Sequence, residues 1–419
     1  MAELKYRTHH GMVDLLPEET PKWRALEEII HNTAHLYHFE EIRTPIMEQT
    51  ELIVRGIGAL SDIVTKEIFA FEKGDDHYIL RPECTAPVVR SFIEHHLDQR
   101  GGTQKLYYIG PMFRAERPQK GRQRQFHQFG LELLGSDAPL ADAETIRFMI
   151  DVVNRIGIRN TTLKLNSVGD PESRTRYKEV LQQTLKPHLS KLSELSQVRF
   201  EKNPMRILDS KEEEDQLFIE MCPSILDYLN EETAVHFEQV KGYLDASGIA
   251  YEITPRLVRG MDYYTRTAFE LTSPDLGSQD ALAGGGRYDL LVEELGGPAT
   301  PAVGFAAGME RLLLAAEELG INLGETPKPH VYIVTRGESA VQWASKALSE
   351  LREKNIAVTT DYQGRSIKAQ MKEANRVQAT YSIIVGESEL EEGIFTLRNM
   401  QDSSESKLSW EDVLHILIN

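Results

Sequence analysis

Two strand-like runs, KLYYIGPMFRAE at 105–116 and RQRQFHQFGLELLG at 122–135, flank the five residues RPQKG. Extended segments this close together read as the arms of a β-hairpin, and that commits the surrounding region to antiparallel sheet. The connecting stretch is intensely basic, with five arginines or lysines (Arg114, Arg117, Lys120, Arg122 and Arg124) between positions 114 and 124. Strand periodicity puts Phe126, Gln128, Gly130 and Glu132 on one face of the second arm, and His127, Phe129, Leu131 and Leu133 on the other. The second face is the more apolar and belongs in a core. A carboxylate and an amide flanking a glycine are costly to bury unless paired, and the missing side chain at Gly130 leaves room for a ligand, so the first face reads as a pocket floor. A solvent-facing strand surface is the competing reading.

The basic loop contrasts with the chain around it, which carries a formal net charge of -18 over 419 residues. An acidic protein repels nucleic acid at long range, so an anionic partner must meet a local basic surface. A charged, solvated hairpin tip is the alternative from composition alone. The length suits two or three domains of roughly 100 to 200 residues each. No window approaches the roughly 18 consecutive apolar residues of a membrane span, and the opening MAELKYRTHHGMVDLLPEE has no apolar core of a signal peptide. A cytosolic location is expected. Cys84 and Cys222 are the 2 cysteines, too few and too far apart for a zinc motif or a disulfide framework.

Along the chain, TPKWRALEEIIHNTAHLYHF predicts a helix with Thr20 as N-cap and Pro21 at its first position. EEIRTPIME is extended, with Pro45 suited to an edge or interface strand, and HYILRPECTAPVVRSFIEHH runs from a strand into a helix starting near Thr85. Helical patterning dominates from about residue 171 to 228, which reads as a helical insertion. Extended, glycine-rich character returns at YEITPRLVRGMDYYTRTAFEL and LAGGGRYDLLVEELGG, and AVGFAAGMERLLLAAEELG predicts a long helix stopped near Gly320. After the linker-like GETPKP, strands and helices alternate in a separate small α/β domain.

Several segments carry chemistry. In RPECTAP, Glu83 and Thr85 offer acceptors for an ammonium group, or simply cap a helix. LVRGMDYYTRTAFEL sets Arg259 beside Gly260 and ahead of Tyr263 and Tyr264, which suits carboxylate or phosphate oxygens, with a structural salt bridge as the plainer alternative. AGGGRYD can wrap an anion or only turn. On the predicted helix, Gly304 or Gly308 sits about one turn before Arg311, leaving space for a flat ring against the guanidinium or for a helix contact. There is no Walker A or GxGxxG pattern, which disfavours a P-loop or Rossmann nucleotide site.

Taken together, these segments resemble the class II aminoacyl-tRNA synthetases, and within them the histidyl-tRNA synthetases, over nearly the whole chain. IRTPIME resembles the first class II motif, FRAERPQKGRQRQFHQFGLELLG the second, and VGFAAGMERL the third; LVRGMDYYTRTAFEL and AGGGRYD resemble the histidine-specific segments, and GRSIKAQMKEANR the anticodon-binding domain. The resemblance implies an α+β fold, with an antiparallel six-stranded catalytic domain over 1–325, interrupted by the insertion at approximately 171–228, and an α/β anticodon-binding domain over 329–419. It implies a homodimer that activates L-histidine with ATP and Mg2+ and transfers it to tRNA(His). On that pattern Arg114 and Arg259 are catalytic, clamping the α-phosphate and the carboxylate of histidine. Glu83, Thr85 and Gln128 hold the α-ammonium group, while Glu132, Tyr263 and Tyr264 read the imidazole. Phe126 and Arg311 sandwich the adenine, Glu116 contacts its amino group, and Arg122 reaches the terminal phosphates. Arg117, Lys120 and Arg124 meet the acceptor end of tRNA, and no side-chain cluster is assigned to a metal. Two positions depart from the family pattern: Met12 follows Gly11 where threonine is common, and Cys84 stands where bacterial members often carry glycine. The competing readings are a regulatory subunit of ATP phosphoribosyltransferase, which resembles the catalytic domain, and an RNA-binding sensor. The first typically lacks the C-terminal domain and several arginines that are present here.

Overall fold

A computed structural model describes residues 5–58, 61, 63–258, 260–276 and 280–418. The chain divides into two compact units, Met1–Gly324 and Glu325–Asn419.

Among the described residues, the first unit is built on an eight-stranded sheet. Its order is Glu40–Glu41, Gln104–Phe113, Gln125–Leu134, Ala302–Gly308, Ala281–Arg287, Thr265–Thr272, Thr162–Ser167 and Glu252–Ile253. The two short outer strands pair in parallel with their neighbours, and the strands between them run antiparallel throughout. The basic segment does join two hairpin arms, registered so that Tyr108 faces Gly130 and Phe113 faces Gln125. A small antiparallel sheet of Met47–Gln49, Asp76–Leu80 and Phe69–Lys73 lies outside this platform, and Pro45 falls in the gap between Glu40–Glu41 and Met47–Gln49.

One face of the large sheet is covered by helices Thr20–Leu36, Pro139–Ile156 and Glu231–Ala246, which share a core with Phe129, Leu131, Leu133, Val303, Phe305 and Phe269. The apolar face expected for the second hairpin arm is therefore the one facing the helices. Under them Asp142, with no exposed surface, accepts from Arg287 Nη1 at 3.0 Å and Thr267 Oγ1 at 3.2 Å and lies 2.5 Å from His236 Nε2. That pairing ties two of the helices to the central strands and makes a buried arginine tolerable. Thr20 is the first residue of its helix rather than the cap; Glu19 occupies the cap position without a side-chain bond, and Pro21 sits in the first turn as expected.

The long helix predicted from Ala302 onward is wrong in its first half. Ala302–Gly308 is a central strand, and only Met309–Glu318 is helical. Its glycine and alanine content gives weak helix periodicity, and pairing on both sides with Gln125–Leu134 and Ala281–Arg287 decides its state. Residues 171–228 contain only helical elements among the named ones, from Pro171–Leu185 to the short turn at Ile225–Tyr228.

The second unit has five strands in the order Val358–Thr360, Val331–Thr335, Tyr381–Val385, Ile394–Asn399 and Glu405–Ser409. The first three are parallel and the last two antiparallel. Helices Glu338–Glu353 and Trp410–Ile418 pack Ala344, Leu351, Val413 and Leu417 on a core that includes Ile333, Ile383 and Phe395.

The central strands approach very closely at the glycine run. A Cβ on Gly285 would lie 2.1 Å from the carbonyl oxygen of Gly304 and 2.6 Å from Phe305 Cβ, and the backbone atom cannot swing aside. Gly285→Ala is expected to lower the thermal transition of the first unit, with a cost of about 1–3 kcal/mol or more typical of overpacking; an unchanged melting profile would contradict this packing.

Candidate active site

Above the face of the sheet opposite the three helices is a cavity of about 360 Å³. Its wall includes ten of the expected site residues: Glu83, Thr85, Arg114, Glu116, Arg122, Phe126, Gln128, Tyr263, Tyr264 and Arg311. They come from segments far apart in the chain, gathered by the sheet order. Phe126 and Gln128 project from the second hairpin arm, Arg114 and Arg122 flank the hairpin loop, and Glu83 and Thr85 stand at the start of helix Thr85–Glu94. Arg311 lies in the first turn of helix Met309–Glu318, where the strand Ala302–Gly308 delivers it.

Arg114, Arg311 and Arg122, which line the cavity, are held by backbone carbonyls and one carboxylate. Arg114 Nε donates to the Pro82 carbonyl at 2.9 Å, and its guanidinium lies 5.3 Å from the centre of the Phe126 ring. Arg311 Nη1 donates to Ala281 O at 2.7 Å. Arg122 Nη1 donates to Glu116 Oε2 at 3.2 Å. Burial lowers the pKa of Arg311, and the positive charges of Arg122 and Arg114 push in the same direction. The repulsion that Arg311 feels from Arg122 and Arg114 is one that a bound anion would relieve.

The cavity is also lined by acidic, amide and phenolic groups. Glu83 accepts the backbone N–H groups of Thr85 at 2.7 Å and Ala86 at 3.0 Å, so the cap expected as the plainer reading is real. It nevertheless lines the cavity, and burial raises its pKa. Gln128 Oε1 is buried with no hydrogen-bond partner, an unsatisfied acceptor on the cavity wall that suits an N–H donor. The Tyr263 and Tyr264 rings are 4.6 Å apart.

Glu132 takes a different place from the others. It has no exposed surface and lies beneath the cavity wall, accepting Thr85 Oγ1 at 2.7 Å and the hydroxyl of Tyr288. Burial pushes its carboxyl up to about 8, with the nearby Glu83 charge adding to the effect and the two hydroxyls opposing it. The space expected above Gly130 is closed. A Cβ there would lie 2.2 Å from the Tyr108 hydroxyl, so the glycine makes room for a neighbouring side chain rather than for a ligand. The local pattern of one strand carries no information about the side chain that its partner contributes.

Arg117, Lys120 and Arg124 stand outside the cavity wall. Arg117 and Lys120 are exposed at the hairpin tip, with Lys120 Nζ 2.6 Å from Glu318 Oε1. Arg124 is tied back by its backbone N–H to Gly11 O at 2.7 Å and by Nε to Glu116 O at 3.3 Å. Arg259 lies outside the described residues. Of the two unusual positions, Met12 donates its N–H to His9 O within the segment that ends by holding Arg124, and Cys84 is buried against Thr44 and Arg81 with its thiol pushed up to about 12 by burial. A thiol held protonated so far above neutrality is a packing group, not a nucleophile.

Sequence reasoning missed Glu67, Arg206, Asp209 and Glu270 on the cavity wall, and Tyr288 and Tyr108 beneath it. Tyr288 was inside a segment already singled out, AGGGRYD, but Arg206 and Asp209 belong to the helical insertion, where nothing in the local pattern marks a site.

Since the buried carboxyl holds its proton up to about pH 8 and an unfolded one only to about its ordinary 4.5, rising pH deprotonates the unfolded chain first. Stability from this group is full below the lower value and is lost as pH rises toward the upper one. Relative to Glu132→Gln, the wild type without added substrate is expected to lose thermal stability between pH 5 and 8; parallel pH profiles of the two proteins would contradict the assignment.

Comparisons with known proteins agree with this geometry. A family profile described as Histidyl-tRNA synthetase matches residues 11–312, and one described as Anticodon binding domain matches residues 330–419. The chain is 48% identical over 405 residues to a Histidine--tRNA ligase of Desulforamulus reducens, covering 96% of this chain and 97% of that one. It is 48% identical over 414 residues to the corresponding ligase of Chloroherpeton thalassium, covering 98% and 97%. Among solved structures, apo histidyl-tRNA synthetase of S. aureus superposes with a TM-score of 0.84 at 38% identity, over 99% of this chain and 100% of that chain. An antiparallel sheet carrying an arginine-lined cavity, in a chain matched along nearly its whole length by these relatives, places the protein in the histidyl-tRNA synthetase family.

Proposed function

We propose that the chain is a histidine-tRNA ligase, which joins L-histidine to ATP as histidyl-adenylate, releases pyrophosphate, and transfers the histidyl group to the 3′ end of tRNA(His) with release of AMP. The observation that carries this reading is the convergence of Arg114, Arg122 and Arg311 on one cavity that is also lined by Glu83, Gln128, Tyr263 and Tyr264. The arginines suit a nucleotide, and the carboxylate, amide and phenolic groups suit a zwitterionic amino acid with a polar ring.

Attack of the histidine carboxylate on the α-phosphorus brings two anions together, and the developing charge on the phosphorus oxygens is what a catalyst must meet. Arg114, fixed by its bond to Pro82 O, is assigned to those oxygens and to the carboxylate. Arg259 is assigned the matching contact on sequence grounds. Phe126 and Arg311 hold the adenine ring between them, Glu116 takes its amino group, and Arg122 turns to the terminal phosphates. Mg2+ bound together with ATP would neutralise charge on the leaving pyrophosphate, and Glu270 on the cavity wall is the carboxylate that would face it.

Glu83 and Gln128 take the α-ammonium group, with Thr85 beside them. Tyr263 and Tyr264 meet the imidazole, and Glu132 acts from below through Thr85. A site with this many buried polar groups penalises apolar side chains that leave them unpaired, which gives selectivity without editing. Arg117, Lys120 and Arg124 are assigned to phosphates of the tRNA acceptor end. Exposed Ile46 and Met47, beside Pro45 in the segment resembling the first class II motif, support a homodimer. No described helix is long and apolar enough to cross a membrane, and a cytosolic enzyme fits the reading.

Amino-acid-dependent exchange of pyrophosphate into ATP, run without tRNA across the twenty amino acids, is expected to proceed with histidine alone and to fall at least a hundredfold in Arg114→Ala. Exchange with no amino acid by folded protein would overturn the proposal in favour of a regulatory or sensor role.

A further inference from the structure

The segment that carries Tyr263 and Tyr264 runs directly into the strand Thr265–Thr272 and is gripped by several side chains of the helical insertion. Arg206, in the short helical turn Pro204–Asp209, donates from Nη2 to Gly260 O at 2.7 Å and to Asp262 Oδ1 at 3.1 Å, and from Nε to the same carboxylate oxygen at 3.3 Å. Asn203 Nδ2 donates to Asp262 Oδ1 at 3.2 Å. From the neighbouring helix Pro171–Leu185, Arg174 Nη1 donates to Tyr264 O at 2.8 Å and to Asp262 O at 3.5 Å. The corresponding bond from the catalytic side is the Asp262 N–H to Ile57 O at 3.1 Å.

The grip is partly insulated from solvent. The Arg206 side chain is 12% exposed, against 32% for Asp262, so the ion pair is partly shielded from solvent screening. Burial lowers the pKa of Arg174, and Asp262 opposes that shift. Removing Asp262 would leave the Arg174 and Arg206 guanidinium groups repelling each other, with Glu294 as the remaining counter-charge on Arg174. Three backbone carbonyls and one carboxylate of a five-residue segment are thus occupied by side chains from residues 171–228. The backbone bearing both tyrosines cannot shift without breaking several of these bonds together.

We infer that Arg206 and Asp262 form a positioning pair through which the insertion sets the placement of Tyr263 and Tyr264, and with it the affinity and selectivity for the amino acid. The inference rests on the assignment of those tyrosines to the histidine side chain. It separates two roles for Arg206, which also lies on the cavity wall: a positioning residue acts through Asp262, whereas a residue touching the nucleotide acts without it.

Pyrophosphate exchange measured for Arg206→Ala, Asp262→Ala, the double variant and Arg206→Lys distinguishes them. Each alanine variant is expected to raise KM for histidine about tenfold, the double variant no more than either single, and KM for ATP to stay within about twofold. Arg206→Lys, which retains a charge but not the fork, should fall between wild type and alanine. Melting temperatures report whether a variant has merely unfolded, and urea-free gel filtration confirms the folded fraction used. Additive effects in the double variant, a rise in ATP KM rather than histidine KM, or an unchanged histidine KM would each overturn the inference while wild-type exchange leaves the functional reading standing. Wild-type protein that exchanges with no amino acid overturns both.

Discussion

Burying a carboxylate without water costs several kcal/mol unless the fold supplies partners or a proton, and the centre of this protein is organised around Glu132. The residue has no exposed surface. Thr85 and Tyr288 approach it from two different segments. Gly304, on the adjacent strand, must lack a side chain, because a Cβ there would lie 1.9 Å from Glu132 Oε2. Tyr108 fills the space above Gly130 on the same face. The hairpin, the strand before Arg311, the helix behind Glu83 and the AGGGRYD strand all meet at this carboxyl, so the parts that form the cavity wall are fixed relative to one another by the group beneath it.

The distribution of charge follows from the same economy of space. The chain as a whole is acidic, at -18, yet Arg114, Arg122, Arg206 and Arg311 all line one cavity and two more basic residues stand exposed at the hairpin tip. Cations confined to where anionic ligands must sit give strong local attraction, while the acidic remainder discourages indiscriminate binding of nucleic acid. The Glu116 contact to Arg122 and the backbone carbonyls at Pro82 and Ala281 hold the arginines apart despite their mutual repulsion.

Much of the site was legible because its chemistry is written in short segments. FRAERPQKGRQRQFHQFG declares a hairpin and a cluster of cations, and RPECTAP and LVRGMDYY declare polar groups at element boundaries. What escaped depends on neighbours that no local pattern names. Ala302–Gly308 looks helical by its small residues, but partners on both sides make it a strand. Gly130 looks like an opening until Tyr108 is set opposite it. Arg206 sits in a segment with no distinguishing periodicity, and its partners, Gly260 O and the carboxylate of Asp262, lie 54 and 56 positions away. The insertion therefore contributes to the cavity through long-range ion pairing that a window of sequence cannot contain.

The central claim is that one cavity forms and holds an activated histidine. Incubating the protein with ATP, Mg2+ and histidine, isolating it by rapid gel filtration, and analysing what remains bound tests this most directly. The account predicts histidyl-adenylate retained near one per site and discharged to the 3′ end when a tRNA(His) transcript is added. Folded protein that retains no adenylate, or retains one that the transcript fails to discharge, would contradict it.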